Sequence, residues 1–196
     1  QHFLLGQPVE DNGQDSAGLM WSLAQADVAG GELVVGADAE IAASTLSQFQ
    51  DSPTTAGTPA QNAIRPAGQQ YDYAVDSRLV AAYATWQRPL APDWSLEAGA
   101  RLEWVQYDYD NRMIDGNTDE AGVSCPGGCL YSRPADRTDD FANFAPRLSL
   151  VWRPVAGVAA YLTFARGFRA PEVTELYRLQ RQQSVADLDS ERVDSG

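Results

Sequence analysis

The sequence predicts an all-β fold built from antiparallel strands. Three pairs of segments alternate between apolar and polar residues with a period of two, which is the pattern of strands with one apolar and one polar face. The connection within each pair is short, whereas the segments between pairs are long and polar. Short turns at one end and long loops at the other are typical of a transmembrane β-barrel. We therefore expect part of such a barrel, with short periplasmic turns and long extracellular loops.

The first pair of strands is predicted at residues 18–28 and 31–43, joined by Ala29 and Gly30. On the second of these strands the apolar residues share one face, and Asp38 and Glu40 lie on the other. In a barrel that is apolar outside, the charged face meets the wet lumen. We therefore expect Asp38 and Glu40 to face the lumen or a domain inside it.

The second pair is predicted at residues 77–90 and 93–108, and its second strand has the clearest alternation. One face runs from Trp94 to Trp104 without a charge. At roughly 3.3 Å per residue and a tilt of about 40°, these indoles lie about 25 Å apart along the membrane normal, which is the height of a lipid-facing band. We expect an aromatic residue at each lipid interface. The opposite, lumen-facing side carries Glu97, Arg101 and Glu103.

The third pair is predicted at residues 143–153 and 157–169, with the turn around Pro154. Phe144 and Trp152 lie on the apolar face of its first strand, while Arg147 lies on the other face. The same alternation therefore predicts that Phe144 and Trp152 meet lipid and that Arg147 faces the lumen.

Residues 143–177 resemble the barrel of TonB-dependent outer-membrane receptors. The shared motifs are Pro-Arg-Leu at 146–148, the turn residues Arg-Pro at 153–154, Gly-Phe-Arg-Ala-Pro at 167–171 and Glu-Leu-Tyr at 175–177. The resemblance implies that residues 167–171 form the outward end of a strand, with Arg169 near the outer rim or against the plug domain. It also implies that a further strand opens near residue 189.

The resemblance implies that residues 1–196 are part of a receptor barrel domain in a bacterial outer membrane, a fragment cut at both ends. Such receptors capture a scarce nutrient in their outer loops, most often a ferric siderophore and sometimes cobalamin, haem or a glycan. TonB drives import by pulling on a plug domain, which we do not expect within this chain. The expected partners are outer-membrane lipid, the TonB complex and a small-molecule ligand, with no cofactor and no enzymatic activity.

The extracellular loops are predicted near residues 44–76, 109–142 and 170–189. Binding residues are often found on loops that a rigid scaffold positions, so the basic and aromatic loop residues are candidates for contact with an anionic or aromatic ligand. These candidates are Arg65, Tyr71, Tyr73, Arg112, Tyr131, Arg133 and Arg137.

Cys125 and Cys129 are the only cysteines and lie in the second long loop, within Ser-Cys-Pro-Gly-Gly-Cys. A disulfide between them suits an oxidising environment such as a cell surface. A zinc site would need further thiol or imidazole ligands, and His2 is the only histidine. We therefore predict a disulfide and no metal site.

Composition excludes several classes of protein. The chain has 14 Lys+Arg against 27 Asp+Glu, a net charge of -13, which argues against a nucleic-acid partner because phosphate binding needs a basic surface. No apolar run approaches the roughly 20 residues of a membrane-spanning helix. With a single, near-terminal histidine, no internal Ser-His or Cys-His pair exists for nucleophilic catalysis.

Two alternatives remain open from the sequence. A passive porin or an adhesive outer-membrane barrel would share the strands and loops but lack a plug domain. A soluble β-sandwich binding module would share only the alternation, with the apolar faces buried as its core.

Overall fold

The computed structural model describes residues 8–185 and 188–196, and its regular structure is almost entirely β-strand. The elements in chain order are β1 (Val9–Val28), β2 (Gly31–Gln50), α1 (Pro59–Asn62), β3 (Gly68–Ala91), β4 (Trp94–Asn111), β5 (Tyr131–Ser132), β6 (Arg137–Trp152), β7 (Ala160–Arg169), α2 (Val173–Tyr177), β8 (Leu179–Gln180) and β9 (Glu191–Ser195). His2, considered above as a metal ligand, lies outside the described residues, as do residues 186 and 187 of the third predicted loop.

Seven strands form one antiparallel sheet in which each strand pairs with its neighbours in the chain. The order is β1-β2-β3-β4-β6-β7-β9, while β5 and β8 pair separately. All six strands that the alternation predicts are present, and β9 pairs with β7 where a further strand is expected. Across the described residues β1 and β9 form the two edges, so the sheet is open.

The short connections lie together at one end of the sheet, the short-turn end. Ala29 and Gly30 join β1 to β2 with φ angles of 52° and 75°. Positive φ at both central residues is the type I′ geometry, whose twist matches that of paired strands. Residues 92–93 join β3 to β4, and residues 153–159 join β6 to β7. The long connections therefore lie together at the opposite end, the long-loop end.

The strands run further toward the long-loop end than the alternation predicts. In the pair of β2 and β3, for example, Ser47 lies opposite Asp72, beyond the apolar band. In these extensions the strands remain hydrogen-bonded to one another but have no apolar face, so the alternation of apolar and polar residues does not reveal them. The first two long connections are accordingly shorter than predicted, while the third has about the predicted length. They are called the first loop (residues 51–67), the second loop (residues 112–136) and the third loop (residues 170–190).

The register places the apolar residues of neighbouring strands on one side of the sheet, the apolar face. Leu102 lies opposite Phe144, and Ala98 lies opposite Leu148. This face is exposed along its length, with Leu19 at 71% and Leu102 at 60% exposure. A β-sandwich would bury it under a second sheet, and the described residues contain no such layer. The opposite side of the sheet, which carries the charged residues predicted to face a lumen, is called the polar face.

The two helices are single turns of four and five residues. Within residues 8–185 and 188–196, no helix has the length and apolar character needed to cross a membrane. In the same part of the chain, no three His, Cys, Asp or Glu side chains lie close enough together to hold a metal ion.

Candidate ligand-binding surface at the long-loop end

The buried core lies on the polar face at the long-loop end and is mainly aromatic. Its members, called the aromatic cluster, are Leu46, Tyr71, Tyr73, Val75, Tyr109, Tyr131, Phe141, Leu176, Tyr177, Leu179 and Val185. Strands β2, β3, β4 and β6 supply one side of the cluster, and the second and third loops supply the other. Burial of these large rings is the main apolar stabilisation available here, and it fixes the loops to the sheet.

Backbone hydrogen bonds join the three loops to one another. The Leu130 amide of the second loop donates to the Ile64 carbonyl of the first loop at 2.8 Å, and the Arg181 amide of the third loop donates to the Leu130 carbonyl at 2.7 Å. β5 in the second loop also pairs with β8 in the third loop. The loops therefore form one layer, and α2 in this layer buries Leu176 and Tyr177 in the aromatic cluster.

Arg133 holds the second loop from inside and is only 2% exposed. Its guanidinium donates to the carbonyl oxygens of Ile114 at 2.8 Å, Thr118 at 2.9 Å and Gln70 at 3.2 Å. Burial lowers the pKa of the guanidinium, yet an arginine stays charged at neutral pH. A buried charge is tolerated only where its donors are satisfied, so Arg133 requires these three carbonyls to stay in place.

α2 brings Tyr177 into contact with both β4 and β6. The Tyr177 ring stacks on Tyr109, with centroids 4.3 Å apart and planes at 22°. Its hydroxyl donates to Asp139 Oδ2 at 2.8 Å, and Asp139 also accepts from Arg137 Nε at 2.7 Å. Burial, together with the hydrogen bond to Asp139, raises the pKa of Tyr177 well above its usual range. The hydroxyl therefore remains a donor at neutral pH.

Ion pairs and polar contacts fix both ends of α2 to the sheet. At the start, the Arg169 guanidinium makes two hydrogen bonds of 3.0 Å to the Glu175 carboxylate. At the end, Arg178 donates to Gln48 Oε1 at 2.7 Å and also to the Glu10 carboxylate. The third loop is thus connected to β1, β2 and β7 in addition to the aromatic cluster.

The predicted ligand-binding residues divide into two groups. One group is buried and supports the loops, and the other reaches solvent. Arg112 belongs to the second group, because its side chain is 48% exposed and lies 3.8 Å from Asp72 and 3.7 Å from Asp110. The structure does not bring the seven into one site. The buried residues are Tyr71, Tyr73, Tyr131 and Arg133, and the accessible ones are Arg65, Arg112 and Arg137.

The charged residues predicted to face a lumen all lie on the polar face, where most of them form short ion pairs. Arg101 contacts Asp38 at 2.5 Å and Glu103 at 2.9 Å. Arg147 contacts Glu97 at 3.1 Å. Carboxylates outnumber arginines in the middle of this face, which is therefore acidic. The full set is Asp38, Glu40, Glu97, Arg101, Glu103, Arg147 and Arg169.

The aromatic residues predicted at lipid interfaces all lie on the apolar face. At the short-turn end Trp94 stacks on Trp152, with centroids 5.6 Å apart and planes at 19°. Toward the long-loop end Trp104 lies opposite Ala142, and Phe144 lies opposite Leu102. Indole and phenyl rings thus border the apolar face at both ends.

The predicted Cys125–Cys129 disulfide is present. Gly127 and Gly128 between the cysteines have φ angles of 71° and 86°, which glycine adopts without strain. A side chain at Gly128 would also meet the Asn117 amide, whose nitrogen lies 2.2 Å from the position of a Cβ atom. The disulfide therefore closes a turn whose two positive φ angles favour glycine at both positions.

Replacing both cysteines with serine is expected to loosen the second loop locally. Closure of so short a loop contributes about 2 kcal/mol in the chain-entropy description. Amide hydrogen exchange should therefore become faster around residues 117–129, while exchange in β3 and β4 stays unchanged. Mass spectrometry of the parent protein taken from the membrane provides the check on pairing: two free thiols would contradict the disulfide.

Sequence reasoning missed the roles of Tyr109, Asp139 and Arg178. A signal existed for Tyr109, because Tyr107 and Tyr109 place aromatic rings at polar-face positions at the end of β4, which indicates a local core. No comparable signal marked Arg178, since its partners lie in β1 and β2, far away in the sequence.

One meandering sheet, with short turns at one end, folded loops at the other and an exposed apolar face, is the architecture of a β-barrel wall. The chain belongs to the TonB-dependent receptor family: the family model described as TonB dependent receptor-like, beta-barrel, matches residues 7–195. The match confirms the resemblance seen in residues 143–177. Members of this family are transporters of the bacterial outer membrane that bind small ligands and interact with TonB. No curated protein matches the chain, and no solved structure does.

Proposed function

We propose that this chain forms part of the wall of an outer-membrane receptor that imports a ferric siderophore with energy from TonB. In this proposal the apolar face meets lipid, the polar face lines the lumen, and the long-loop end is extracellular. Membership of the TonB-dependent receptor family supports the receptor and transport function. The apolar face is exposed and bordered by indoles, and on β4 it carries no charge between Trp94 and Trp104; both features support the contact with lipid.

The observation that carries the proposal is the layer of loops on the polar face. A passive pore needs an open lumen, but here the third loop packs Leu176 and Tyr177 onto the side of the sheet that would line it. The three loops also hydrogen-bond to one another. A wall whose own loops fold over its inner side favours gated import over free diffusion.

The accessible arginines support an anionic ligand. Arg65 and Arg112 lie in the first and second loops, and the Arg137 side chain is 33% exposed at the end of β6. Many ferric siderophore complexes are anionic, and guanidinium groups suit the carboxylate or catecholate oxygens that such complexes present. Ferric siderophores are therefore the nutrient class that we assign.

Iron uptake tests this function. A strain lacking the gene and the same strain carrying it on a plasmid should be grown under iron limitation and given radioactive iron bound to a panel of siderophores. Uptake of at least one complex should depend on the gene and stop when a protonophore collapses the proton gradient. Parental uptake of every complex by the deletion strain would exclude iron, and gene-dependent uptake that survives the protonophore would indicate a passive pore.

A further inference from the structure

We infer that Arg88 binds the phosphate group of an anionic phospholipid in the periplasmic leaflet of the outer membrane. The inference rests on the part of the proposed function that places the apolar face in lipid and the short-turn end in the periplasm. It goes beyond that function, because it assigns a lipid site to the outer side of the wall, away from the loops that would capture the nutrient.

Arg88 of β3 is a charged residue on the apolar face, close to the short-turn end. It lies opposite Leu96 of β4. Leu96 is two residues from Trp94 on the same side of β4, and Trp94 stacks on Trp152. At roughly 3.3 Å per residue and a tilt of about 40°, two residues span about 5 Å along the membrane normal. A side chain as long as arginine therefore reaches the headgroup level that these indoles mark.

The Arg88 guanidinium has no anionic partner in the protein. Across the described residues it forms neither an ion pair nor a hydrogen bond, although its Nε atom is enclosed by neighbouring atoms. Arg101 and Arg147 on the polar face, in contrast, both contact carboxylates. An unpaired charge on a lipid-facing strand is costly unless its donors find acceptors. The strongest acceptors that lipid offers near its interface are the phosphate oxygens of the headgroups.

Trp86 and Gly31 hold Arg88 in place beside the strand. The Trp86 indole donates from Nε1 to the Val28 carbonyl oxygen at 2.9 Å, which fixes the ring. The guanidinium carbon of Arg88 lies 5.6 Å from the centre of this ring, a distance at which a cation is attracted to the π face. A Cβ atom at Gly31 would lie 2.7 Å from the Arg88 Cβ and 2.9 Å from Trp86 Nε1, so the glycine leaves the room that both side chains need. The guanidinium is therefore positioned by the protein before a lipid binds.

The chemistry of the guanidinium selects an anionic phospholipid. Two of its N–H groups match two oxygens of one phosphate. A zwitterionic phospholipid also carries a cationic group next to its phosphate, and this group is repelled by the arginine. The chain as a whole has a net charge of -13, so it offers anionic lipid few attractive positions. An unpaired cation at the lipid interface therefore marks where such a lipid binds.

Native mass spectrometry of the full-length receptor, purified in a neutral detergent and titrated with phosphatidylglycerol, tests the site. We expect the first phosphatidylglycerol to bind Arg88→Gln about tenfold more weakly than the parent, because a hydrogen-bonded charge pair is lost. Arg88→Lys keeps the charge but not the paired donors, so it should lose less affinity. Phosphatidylcholine with the same acyl chains should distinguish the parent from Arg88→Gln less strongly. A loss of the same size for phosphatidylcholine would overturn the preference for an anionic lipid.

Arg147→Gln is the matched control, because it makes the same chemical change on the polar face, where Arg147 contacts Glu97 at 3.1 Å. It should leave the affinity for phosphatidylglycerol unchanged. Unchanged affinity in Arg88→Gln, or equal weakening in Arg147→Gln, would overturn the site. Displacement of the lipid by inorganic phosphate would overturn the lipid assignment in favour of a free anion. Binding that depends on Arg88 in a receptor without any iron uptake would instead contradict the proposed function and leave the lipid site standing.

Discussion

Leu148→Arg is expected to lower the free energy of unfolding of the receptor in lipid vesicles by about 2–4 kcal/mol, the cost of an arginine at the bilayer midplane on a lipid-facing strand. Leu148 lies on the apolar face of β6, midway between Phe144 and Trp152, and is 49% exposed. Denaturant unfolding in vesicles measures the loss. No element in the described residues covers the site, so in lipid the charge would face hydrocarbon.

Met20→Arg is the matched control for Leu148→Arg. Met20 lies on the polar face of β1, is 84% exposed and pairs across the strands with Asp38. A guanidinium there meets water or a carboxylate, so stability should change by no more than about 0.5 kcal/mol. Equal losses for the two variants would show that the apolar face does not meet lipid.

Arg133→Met is expected to unfold the second loop locally while leaving the sheet intact. Methionine retains much of the packing of the stem but donates no hydrogen bond, so the carbonyls of Gln70, Ile114 and Thr118 lose their partner. Loss of such buried hydrogen bonds to a charged group costs about 2–4 kcal/mol. Amide exchange across residues 112–136 should then become about 30- to 1000-fold faster.

Arg112→Met provides the comparison within the same loop. Its guanidinium is 48% exposed and pairs with carboxylates only at 3.7 Å and 3.8 Å, so its removal should change local stability by no more than about 0.5 kcal/mol. Unchanged exchange across the second loop in Arg133→Met would contradict the structural role of Arg133. Faster exchange in Arg112→Met to the same degree would show that the loop depends on its surface charge instead.

The strands were predictable because a strand with one apolar and one polar face has apolar residues at every second position. The face from Trp94 to Trp104 identified β4, and the same parity placed Arg101 and Arg147 on the opposite side. The strand ends were not predictable, since pairs such as Ser47 and Asp72 continue the ladder with polar residues on the apolar side. The hydropathy of the side chains indicates whether a strand face meets an apolar or a polar environment. The pairing of the strands depends instead on backbone hydrogen bonds, which form with polar and apolar side chains alike.

The candidate site was only partly predictable for a similar reason. Arg133 and Arg112 look alike in the sequence, as basic residues of the same loop. The fold buries Arg133 among carbonyl groups and leaves Arg112 in solvent. Likewise Tyr71, a loop candidate in the sequence, lies in β3 and is fully buried. Which side of a loop faces inward depends on contacts with other loops, and these contacts join residues that are distant in the chain.

By itself the sequence determined the class of protein: period-two alternation set the two faces, connection lengths set the two ends, and the motifs of residues 143–177 indicated the family. Only the tertiary structure decided that the loops fold together over the polar face, that Arg133 supports them, and that Tyr177 stacks on Tyr109 and donates to Asp139. The physical reason is the range of the interactions. Alternation and turns are local, while the aromatic cluster forms only when two loops and four strands meet.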